Sequence, residues 1–337
     1  MGMRINQHRA DPLDSSISPL LPSPIVRDPS DPRVEERPTV SVIVVTYQSE
    51  GYVGRCLASI RAHAGMPVET LVVDNASTDA TVAEARRFSL ATSVITLPAN
   101  RGFAAAVNVA APRATGEFLL LLNPDAELLH GALPRLVALT RRCPTVAAAG
   151  PQFLFPDGSP QDSAFTYPTL LMTWLEFFPR PARLLRTRLN GRLASTDGRP
   201  IRVDHPLGAC MLIRRAAWDD VGPLDEAFFL YCEEVDWCVR AKKRGWVVAH
   251  VPDAAVVHHG GRSAARARAD SIVHLYASRA RLHRKHRSPM FRAAARFITT
   301  LGLAHVRRQL RRDRTSATDA DRDARIAGIE RTLHQVR

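Results

Sequence analysis

The first third of the chain repeats one pattern, in which a short apolar run is followed by polar residues and then by apolar residues at helical spacing. The runs cover residues 40–45, 70–73, 93–97 and 118–122 and consist mainly of valine, isoleucine and leucine. Short runs of this kind are typical of strands buried on both faces of a parallel sheet. The repeat predicts an α/β fold whose Rossmann-like, mostly parallel central sheet is flanked by helices.

Helical stripes follow the first two runs and predict a helix ending near Ala64 and a second, shorter helix. The stripes consist of Tyr52, Val53, Cys56, Leu57 and Ile60 in the first helix, and of Val82, Ala85 and Phe88 in the second. Thr46 and Tyr47 then follow the first strand, and Asp74 ends the second. Open α/β sheets bind ligands at this edge. Asp74 can accept hydrogen bonds from a nucleobase imide or a ribose hydroxyl, or it can cap the turn that follows, and the pattern leaves both roles open.

Two further loops bring polar residues to the same edge. In NRGFAAAVNVA, residues 100–110, Gly102 permits a tight turn and the small residues let a helix pack closely. The absence of a GxGxxG pattern argues against a nicotinamide-dependent enzyme. The fourth run ends at Asn123, Pro124 and Asp125. A carboxylate at a strand end suits a hard divalent cation that bridges phosphate oxygens, although this tripeptide is also a common turn.

The stretch FFLYCEEVDWCVRAKKRGW, residues 228–246, sets Glu233, Glu234 and Asp236 at a predicted helix start. Apolar residues at helical spacing follow, and Gly245 comes where such a helix ends. The helix dipole is expected to hold a carboxylate there ionised and pointing outward, as a general base requires. Because acidic residues favour first turns in general, this segment alone supports a structural role equally well.

Composition indicates one α/β domain with appendages, since 337 residues with 45% hydrophobic content can bury a large core. Residues 1–38 are rich in Pro, Asp, Ser and Arg without periodicity and are expected to form a disordered leader. We find no apolar core of a signal peptide and no run near the roughly 20 residues that span a bilayer. The five cysteines form no CxxC pair, which fits a cytoplasmic protein.

The end of the chain is strongly basic. Residues 264–337 contain 18 Lys and Arg against 6 Asp and Glu, whereas residues 1–263 contain 28 against 27. Apolar residues at helical spacing accompany arginines at 292, 296, 307, 308, 311 and 312; they are Phe291, Phe297, Ile298, Leu301, Val306 and Leu310. The pattern predicts a basic amphipathic surface, residues 276–314, that lies on an anionic inner membrane leaflet. A helix packed back on the core is the alternative, and nucleic acid is not expected because no recognised motif is present.

These segments, with GACMLIRR at residues 208–215 and HHGGRS at residues 258–263, resemble family 2 inverting glycosyltransferases of GT-A fold, in particular the rhamnosyltransferase-like branch. The resemblance covers residues 39–263. It implies a nucleotide-binding half at 39–128, an acceptor and catalytic half at 129–263, and a basic helical tail at 264–337.

The resemblance also implies the site residues. The donor nucleotide sugar would contact the strand ends, the NRG loop and the start of the GAC strand, which supply Thr46, Tyr47, Asp74, Asn100, Arg101, Gly102, Asn108, Asp125, Gly208 and Ala209. The DxD metal motif falls on residues 123–125, where asparagine replaces the first acid. Asp125 and His258 would hold Mg²⁺ or Mn²⁺, with His259 as the alternative histidine. Neighbouring residues of a strand point to opposite faces, so one of the two histidines is expected to face the metal.

Glu234 occupies the position of the catalytic base in this resemblance, and Asp236 is the alternative. Glu233 would contact the acceptor or brace the helix. The donor implied is a nucleotide-diphosphate sugar, with dTDP-rhamnose favoured, and the acceptor is a polyprenyl-linked or other glycan of the cell envelope. We therefore expect a cytoplasmic protein that lies peripherally on the inner face of the cell membrane. A non-catalytic sugar-nucleotide-binding homologue stays open, while a nucleotidyltransferase is disfavoured because residues 44–50 offer no basic, glycine-rich triphosphate loop.

Overall fold

The computed structural model describes residues 39–88, 92–179, 185, 187–260, 268–312 and 319–336. The predicted leader and residues 261–263 of the HHGGRS segment lie outside these ranges.

Within the described ranges, ten strands form a mixed sheet and three short strands form a second sheet. The large sheet contains β1 (Val40–Thr46), β2 (Val68–Asp74), β3 (Thr92–Thr96), β4 (Phe118–Leu122), β5 (Ala126–Leu128), β6 (Val146–Leu154), β7 (Pro160–Gln161), β10 (Ile201–Val203), β12 (Cys210–Arg214) and β13 (Val247–His258). The small sheet contains β8 (Ala164–Phe165), β9 (Arg192–Leu193) and β11 (His205–Pro206). The order along the main path is β10-β13-β6-β12-β4-β1-β2-β3.

One half of the large sheet is parallel, as the repeated apolar runs predict. Strands β3, β2, β1 and β4 lie side by side with parallel pairing throughout. Alternate residues of β1 enter different cores: Val40, Val42 and Val44 face one layer, while Ile43 and Val45 face the other. Burial on both faces explains why this strand is apolar without alternation.

The other half is mixed, and this places a second loop at the ligand edge. Strand β12 runs antiparallel to β4, with Cys210 opposite Leu122. The residues that precede β12 therefore lie beside the residues that follow β4. Strand β13 is parallel to β6 and antiparallel to β10 and β5.

Ten α-helices are present in the described residues, and those before residue 260 flank the sheets. They are α1 (Val53–His63), α2 (Thr81–Arg86), α3 (Phe103–Ala110), α4 (Ala132–Arg142), α5 (Leu170–Phe177), α6 (Arg215–Val221), α7 (Glu233–Lys243), α8 (Arg268–His286), α9 (Pro289–Arg312) and α10 (Asp319–Val336). The predicted first helix is confirmed as α1. The helix predicted to begin with Glu233, Glu234 and Asp236 is confirmed as α7, and we call it the acid helix. Helix α2 ends before Phe88, which packs against the core from a turn.

The C-terminal helical extension is confirmed, and its helices pack against α5. Their shared cluster contains Phe177 of α5, Tyr276 of α8, Leu303 of α9 and Ile329 of α10. The apolar stripe predicted on α9 is divided: Ile298, Val306 and Leu310 pack against this cluster, whereas Phe297 and Leu301 are exposed. No helix in the described residues is both long and apolar enough to cross a membrane.

Candidate functional site

The carboxyl ends of β1 and β2 meet at a buried hydrogen-bonded pair. Thr46 and Asp74 are register partners, and Thr46 Oγ1 donates to Asp74 Oδ1 at 2.9 Å. The Ser77 hydroxyl also donates to Oδ1, and the Ser77 amide donates to Oδ2 at 2.8 Å. Asp74 therefore caps the turn, and Oδ2 retains lone-pair capacity for a ligand. Tyr47 is exposed at this edge.

The NRG loop is tied to the end of β2 by Asn75, which the sequence analysis did not single out. The buried Asn75 side chain accepts from the Arg101 amide at 3.2 Å and donates to the Gly102 carbonyl at 3.1 Å. Asn100 accepts from the Gly102 amide at 3.0 Å. Gly102 has φ +85°, and a Cβ there would lie 2.3 Å from the Phe229 carbonyl oxygen. The position thus requires glycine on two grounds.

Two predicted donor residues hold the loop before α7. Asn108 donates both hydrogens of its amide nitrogen, to the Leu224 carbonyl and to Glu226 Oε1, and accepts from the Leu224 amide. Arg101 forms an ion pair with Glu226 at 3.1 Å. The Asn108 amide is therefore committed to positioning this loop, and no hydrogen of its nitrogen remains for a donor nucleotide.

Asp125 and His258 come together where β5 pairs with the end of β13. Ala126 is the register partner of His258, and His258 Nε2 lies 3.6 Å from Asp125 Oδ1. Both side chains are buried. His258 Nδ1 lies 2.9 Å from Gln161 Oε1, an oxygen that can only accept. With Nδ1 as the donor, the lone pair of Nε2 points toward Asp125, and burial lowers the pKa of His258 and favours this neutral ring.

The neighbouring histidine belongs to a different cluster. His259 Nε2 lies 2.7 Å from Glu127 Oε1, and Arg55 Nε lies 3.4 Å from the same oxygen. His259 and His258 thus point to different partners, as adjacent strand residues do. Glu127 escaped the sequence analysis, although its position two residues after Asp125 on β5 could have drawn attention to it.

The donor set of Asp125 and His258 fits a divalent cation that shares its coordination with substrate. Across the described residues, no group of three or more His, Cys, Asp or Glu side chains could hold a metal ion by itself. A carboxylate oxygen and an imidazole lone pair fixed by Gln161 match the usual arrangement of ligand and supporting residue. The remaining positions would be filled by phosphate oxygens and water, as is common for Mg²⁺.

Gly208 and Ala209 connect the pair of Asp125 and His258 to the acid helix. The Asn123 amide donates to the Ala209 carbonyl at 2.8 Å. A Cβ on Gly208 would lie 3.0 Å from Cδ and Oε1 of Glu234, so the missing side chain makes room for this carboxylate. A continuous path therefore leads from Asp125 and His258 to the acid helix, through Asn123, Ala209, Gly208 and Glu234.

The first two acids of α7 are not held ionised as the dipole argument predicts. Burial raises the pKa of Glu233 well above its ordinary value near 4.5, and the charge of Glu234 raises it further. Burial also raises the pKa of Glu234. Glu233 is 6% exposed, and its Oε2 has no hydrogen-bond partner among the described residues. Desolvation outweighs the dipole here, so both carboxyl groups keep their protons to higher pH than usual, and the effect is larger for Glu233.

Asp236 points away from this pair into an ion cluster. It is fully buried and contacts Arg240 at 2.9 Å, Lys285 at 2.8 Å and His286 at 2.7 Å. Burial would raise the pKa of Asp236, but hydrogen bonds from these three side chains outweigh it and lower the pKa. Since Lys285 and His286 belong to α8, the carboxylate braces the acid helix against the C-terminal helices.

A cavity of about 1210 Å³ opens beside Glu234. Its described walls come from the acid helix, the small sheet, α5, α8, α9 and α10, and include Glu234 but not Asp236. Of the three acids at the start of α7, Glu234 is thus the one that reaches a space large enough for a substrate.

Comparison with known proteins identifies the lineage of this site. Residues 41–220 match the family described as Glycosyl transferase family 2. The match ends before α7, so it includes the edge of β1, β2 and β4 but not Glu234 or His258. An N-acetylglucosaminyl-diphospho-decaprenol L-rhamnosyltransferase of Mycobacterium tuberculosis is 32% identical over 252 residues, which cover 70% of this chain and 80% of the relative.

Two solved structures share the fold. A mannosyltransferase from Pyrobaculum calidifontis, in complex with GDP-Man and Mn²⁺, has a TM-score of 0.54 and 20% identity over 94% of this chain and 91% of its own. GalNAc-T7, solved with UDP, GalNAc and Mn²⁺, has a TM-score of 0.50 and 18% identity over 65% of this chain. The chain spans 43% of the length of GalNAc-T7. At these identities the similarity shows the fold, and it confirms the predicted GT-A architecture.

Proposed function

The chain belongs to Glycosyl transferase family 2, and from this premise we propose that it is an inverting enzyme that moves a sugar from a nucleotide diphosphate to a hydroxyl of a lipid-linked glycan. The observation that carries the proposal is the short path from Asp125 and His258 through Gly208 to Glu234. This path supports a donor diphosphate site beside a carboxylate that faces a large cavity.

The donor half would bind the nucleotide at the edge formed by Thr46, Tyr47, Asp74 and the NRG loop. Asp125 and His258 would hold a divalent cation there. When bound, Mg²⁺ or Mn²⁺ supplies positive charge that stabilises the departing phosphate. Both similar structures contain Mn²⁺ together with a nucleotide ligand, which supports a cation of this class.

Glu234 would act as the base. Its carboxylate takes the proton of the acceptor hydroxyl while that oxygen forms a bond to the anomeric carbon. The bond from the anomeric carbon to the diphosphate oxygen breaks at the opposite face, and the nucleotide diphosphate leaves with those electrons. The neutral, proton-bearing form of Glu233 supports this role, because it adds no second negative charge beside the base.

The sugar and acceptor are proposed from the mycobacterial relative, whose name specifies rhamnose transfer to a diphospho-decaprenol-linked sugar. A dTDP-linked rhamnose is the favoured donor, and cell-envelope glycan synthesis is the favoured process. A non-catalytic homologue is supported by Asn123 in place of the first motif acid and by Glu234 where the family usually has an aspartate.

The donor site is tested by thermal shift against UDP-, GDP- and dTDP-sugars, each with Mn²⁺, with Mg²⁺ and with EDTA. We expect one nucleotide family to raise the melting temperature when a metal is present. A ligand at 100 times its dissociation constant adds about 2.7 kcal/mol of stability. No shift with any nucleotide would contradict the proposal.

The proposed function also places the protein on an anionic membrane surface, at the inner face of the cell membrane. Met290, Phe297 and Leu301 of α9 are 83%, 69% and 43% exposed, and Trp174 of the adjoining α5 is 40% exposed. The exposed Arg308 belongs to the same helix. Exposed apolar side chains with basic neighbours are typical of helices that lie in the headgroup region.

Membrane binding is measured by co-sedimentation with vesicles that contain phosphatidylglycerol. A Phe297→Ser, Leu301→Ser double variant is expected to bind at least about tenfold more weakly, because each apolar side chain contributes roughly 1.5–3 kcal/mol when buried. Phe155→Ser, at an exposed phenylalanine outside the C-terminal helices, is the matched control. An unchanged bound fraction for the double variant would exclude this surface.

A further inference from the structure

The cavity beside Glu234 is lined by more basic side chains than acidic ones. Five arginines and two glutamates are among its described lining residues. Arg192 pairs with Asp162, and Arg279 pairs with Glu176. Arg284 of α8 and Arg292 of α9 have no acidic partner in the described part of the chain, and both face the cavity together with Arg296. The walls therefore present an excess of positive charge to whatever occupies the space.

His283 marks the same region as a polar site. Its side chain is 9% exposed and lines the cavity, and its Nε2 has no hydrogen-bond partner among the described residues. Burial, with the nearby positive charges of Arg279 and Arg287, lowers the pKa of His283 to about 4. The ring is therefore neutral at physiological pH, and its buried Nε2 is available to hydrogen-bond a ligand in the cavity.

Part of the wall is apolar. Phe165, Met172, Leu175, Leu207 and Leu275 line the same space. Its volume of about 1210 Å³ exceeds the range of 300–1,000 Å³ usual for small-molecule pockets. Such a cavity has room for a sugar, a charged linker and the start of a hydrocarbon chain. Contacts from Lys285 and His286 to Asp236 fix the end of α8 against the acid helix. The basic groups and Glu234 line the same cavity.

We propose that this cavity binds the diphosphate of a polyprenyl-diphosphate-linked acceptor, through Arg284, Arg292 and Nε2 of His283. The inference rests on the proposed function, since it assigns the acceptor class of the same site. Guanidinium groups bind phosphate oxygens through paired hydrogen bonds, which explains arginine at these positions. The apolar wall receives the first part of the prenyl chain, and the sugar lies between the diphosphate and Glu234.

The test measures binding of farnesyl diphosphate to the full chain without donor, by isothermal titration. An Arg284→Gln, Arg292→Gln double variant is expected to raise the dissociation constant by about 10- to 100-fold, because charge-assisted hydrogen bonds are lost. An Arg61→Gln, Arg142→Gln double variant removes the same two charges from exposed positions that are not among the cavity residues, and is expected to bind as wild type. Farnesol and inorganic pyrophosphate are both expected to bind more weakly than farnesyl diphosphate.

Several results would overturn the inference. Equal binding of farnesol would exclude the diphosphate contact, and equal binding of pyrophosphate would exclude the apolar wall. Equal weakening by the Arg61→Gln, Arg142→Gln control would indicate unspecific attraction, and displacement of the probe by dTDP would place it in the donor site. Because this titration needs neither donor nor turnover, failure here with a normal donor thermal shift refutes the acceptor site alone.

Discussion

Glu234→Gln is expected to lower turnover by a factor on the order of 10² to 10⁴, the usual contribution of a positioned general base. Glutamine keeps the shape that fits against Gly208 but cannot take the acceptor proton. Donor binding is expected to persist, because the predicted nucleotide and metal groups lie on other elements. Initial rates at saturating donor, with donor thermal shift measured in parallel, separate these effects.

Glu233→Gln is the matched control, because it makes the same change one residue away. Burial and the charge of Glu234 raise the pKa of Glu233, so this side chain is already uncharged when Glu234 is ionised. Turnover within about tenfold of wild type is expected. If Glu233→Gln abolished turnover and Glu234→Gln preserved it, the two roles would be exchanged.

The pH dependence follows from the same pKa directions. Glu234 must be deprotonated to act, so turnover should rise with pH through a raised pKa, above the ordinary value near 4.5. Folded Glu233 keeps a proton that the unfolded chain releases, so the contribution of this side chain to stability should fall as pH rises above about 4.5. Glu233→Gln should flatten this fall in melting temperature, and an unchanged slope would contradict the shift.

Asp125→Asn is expected to remove the metal-dependent part of the donor thermal shift and to lower turnover by about 10²- to 10³-fold. Asparagine keeps an oxygen ligand but loses the negative charge that a divalent cation requires, and cation stabilisation of the leaving phosphate is worth several kcal/mol. The comparison of Mn²⁺ with EDTA in the wild type and the variant measures the metal-dependent part directly.

Glu127→Gln supplies the control for this variant. Glu127 is a carboxylate two residues further along the chain, on β5, and it pairs with His259 and Arg55. We expect its neutralisation to preserve the metal-dependent shift. If Glu127→Gln removed the shift and Asp125→Asn did not, the cation would belong to the cluster of Glu127 and His259.

The parallel half of the sheet and the start of the acid helix could be predicted from sequence, because both depend on local patterns. A strand buried on two faces must be apolar throughout, as residues 118–122 are. The order of the acids in α7 could not show which of them faces substrate. That distinction depends on Lys285 and His286, which α8 brings to Asp236 from about 50 residues away.

Long-range contacts also determine how the side chains around Asp125 and His258 are oriented. Adjacent histidines had to point apart, but the partner that orients His258 is Gln161, 97 residues earlier in the chain. The glycine before β12 suggested close approach of a ligand, whereas the group that approaches Gly208 is the Glu234 side chain. The division of the α9 stripe likewise depends on α5 and α8, which no periodicity within α9 encodes.

The most direct test of the central claim is the anomeric configuration of the product, determined by NMR after incubation of the protein with dTDP-rhamnose, Mn²⁺ and a polyprenyl-diphosphate-linked N-acetylglucosamine. One-step attack with Glu234 as base predicts a new glycosidic bond whose configuration is opposite to that of the donor. A product that retains the donor configuration would contradict direct displacement, and no transfer from any nucleotide sugar that binds would contradict catalysis itself.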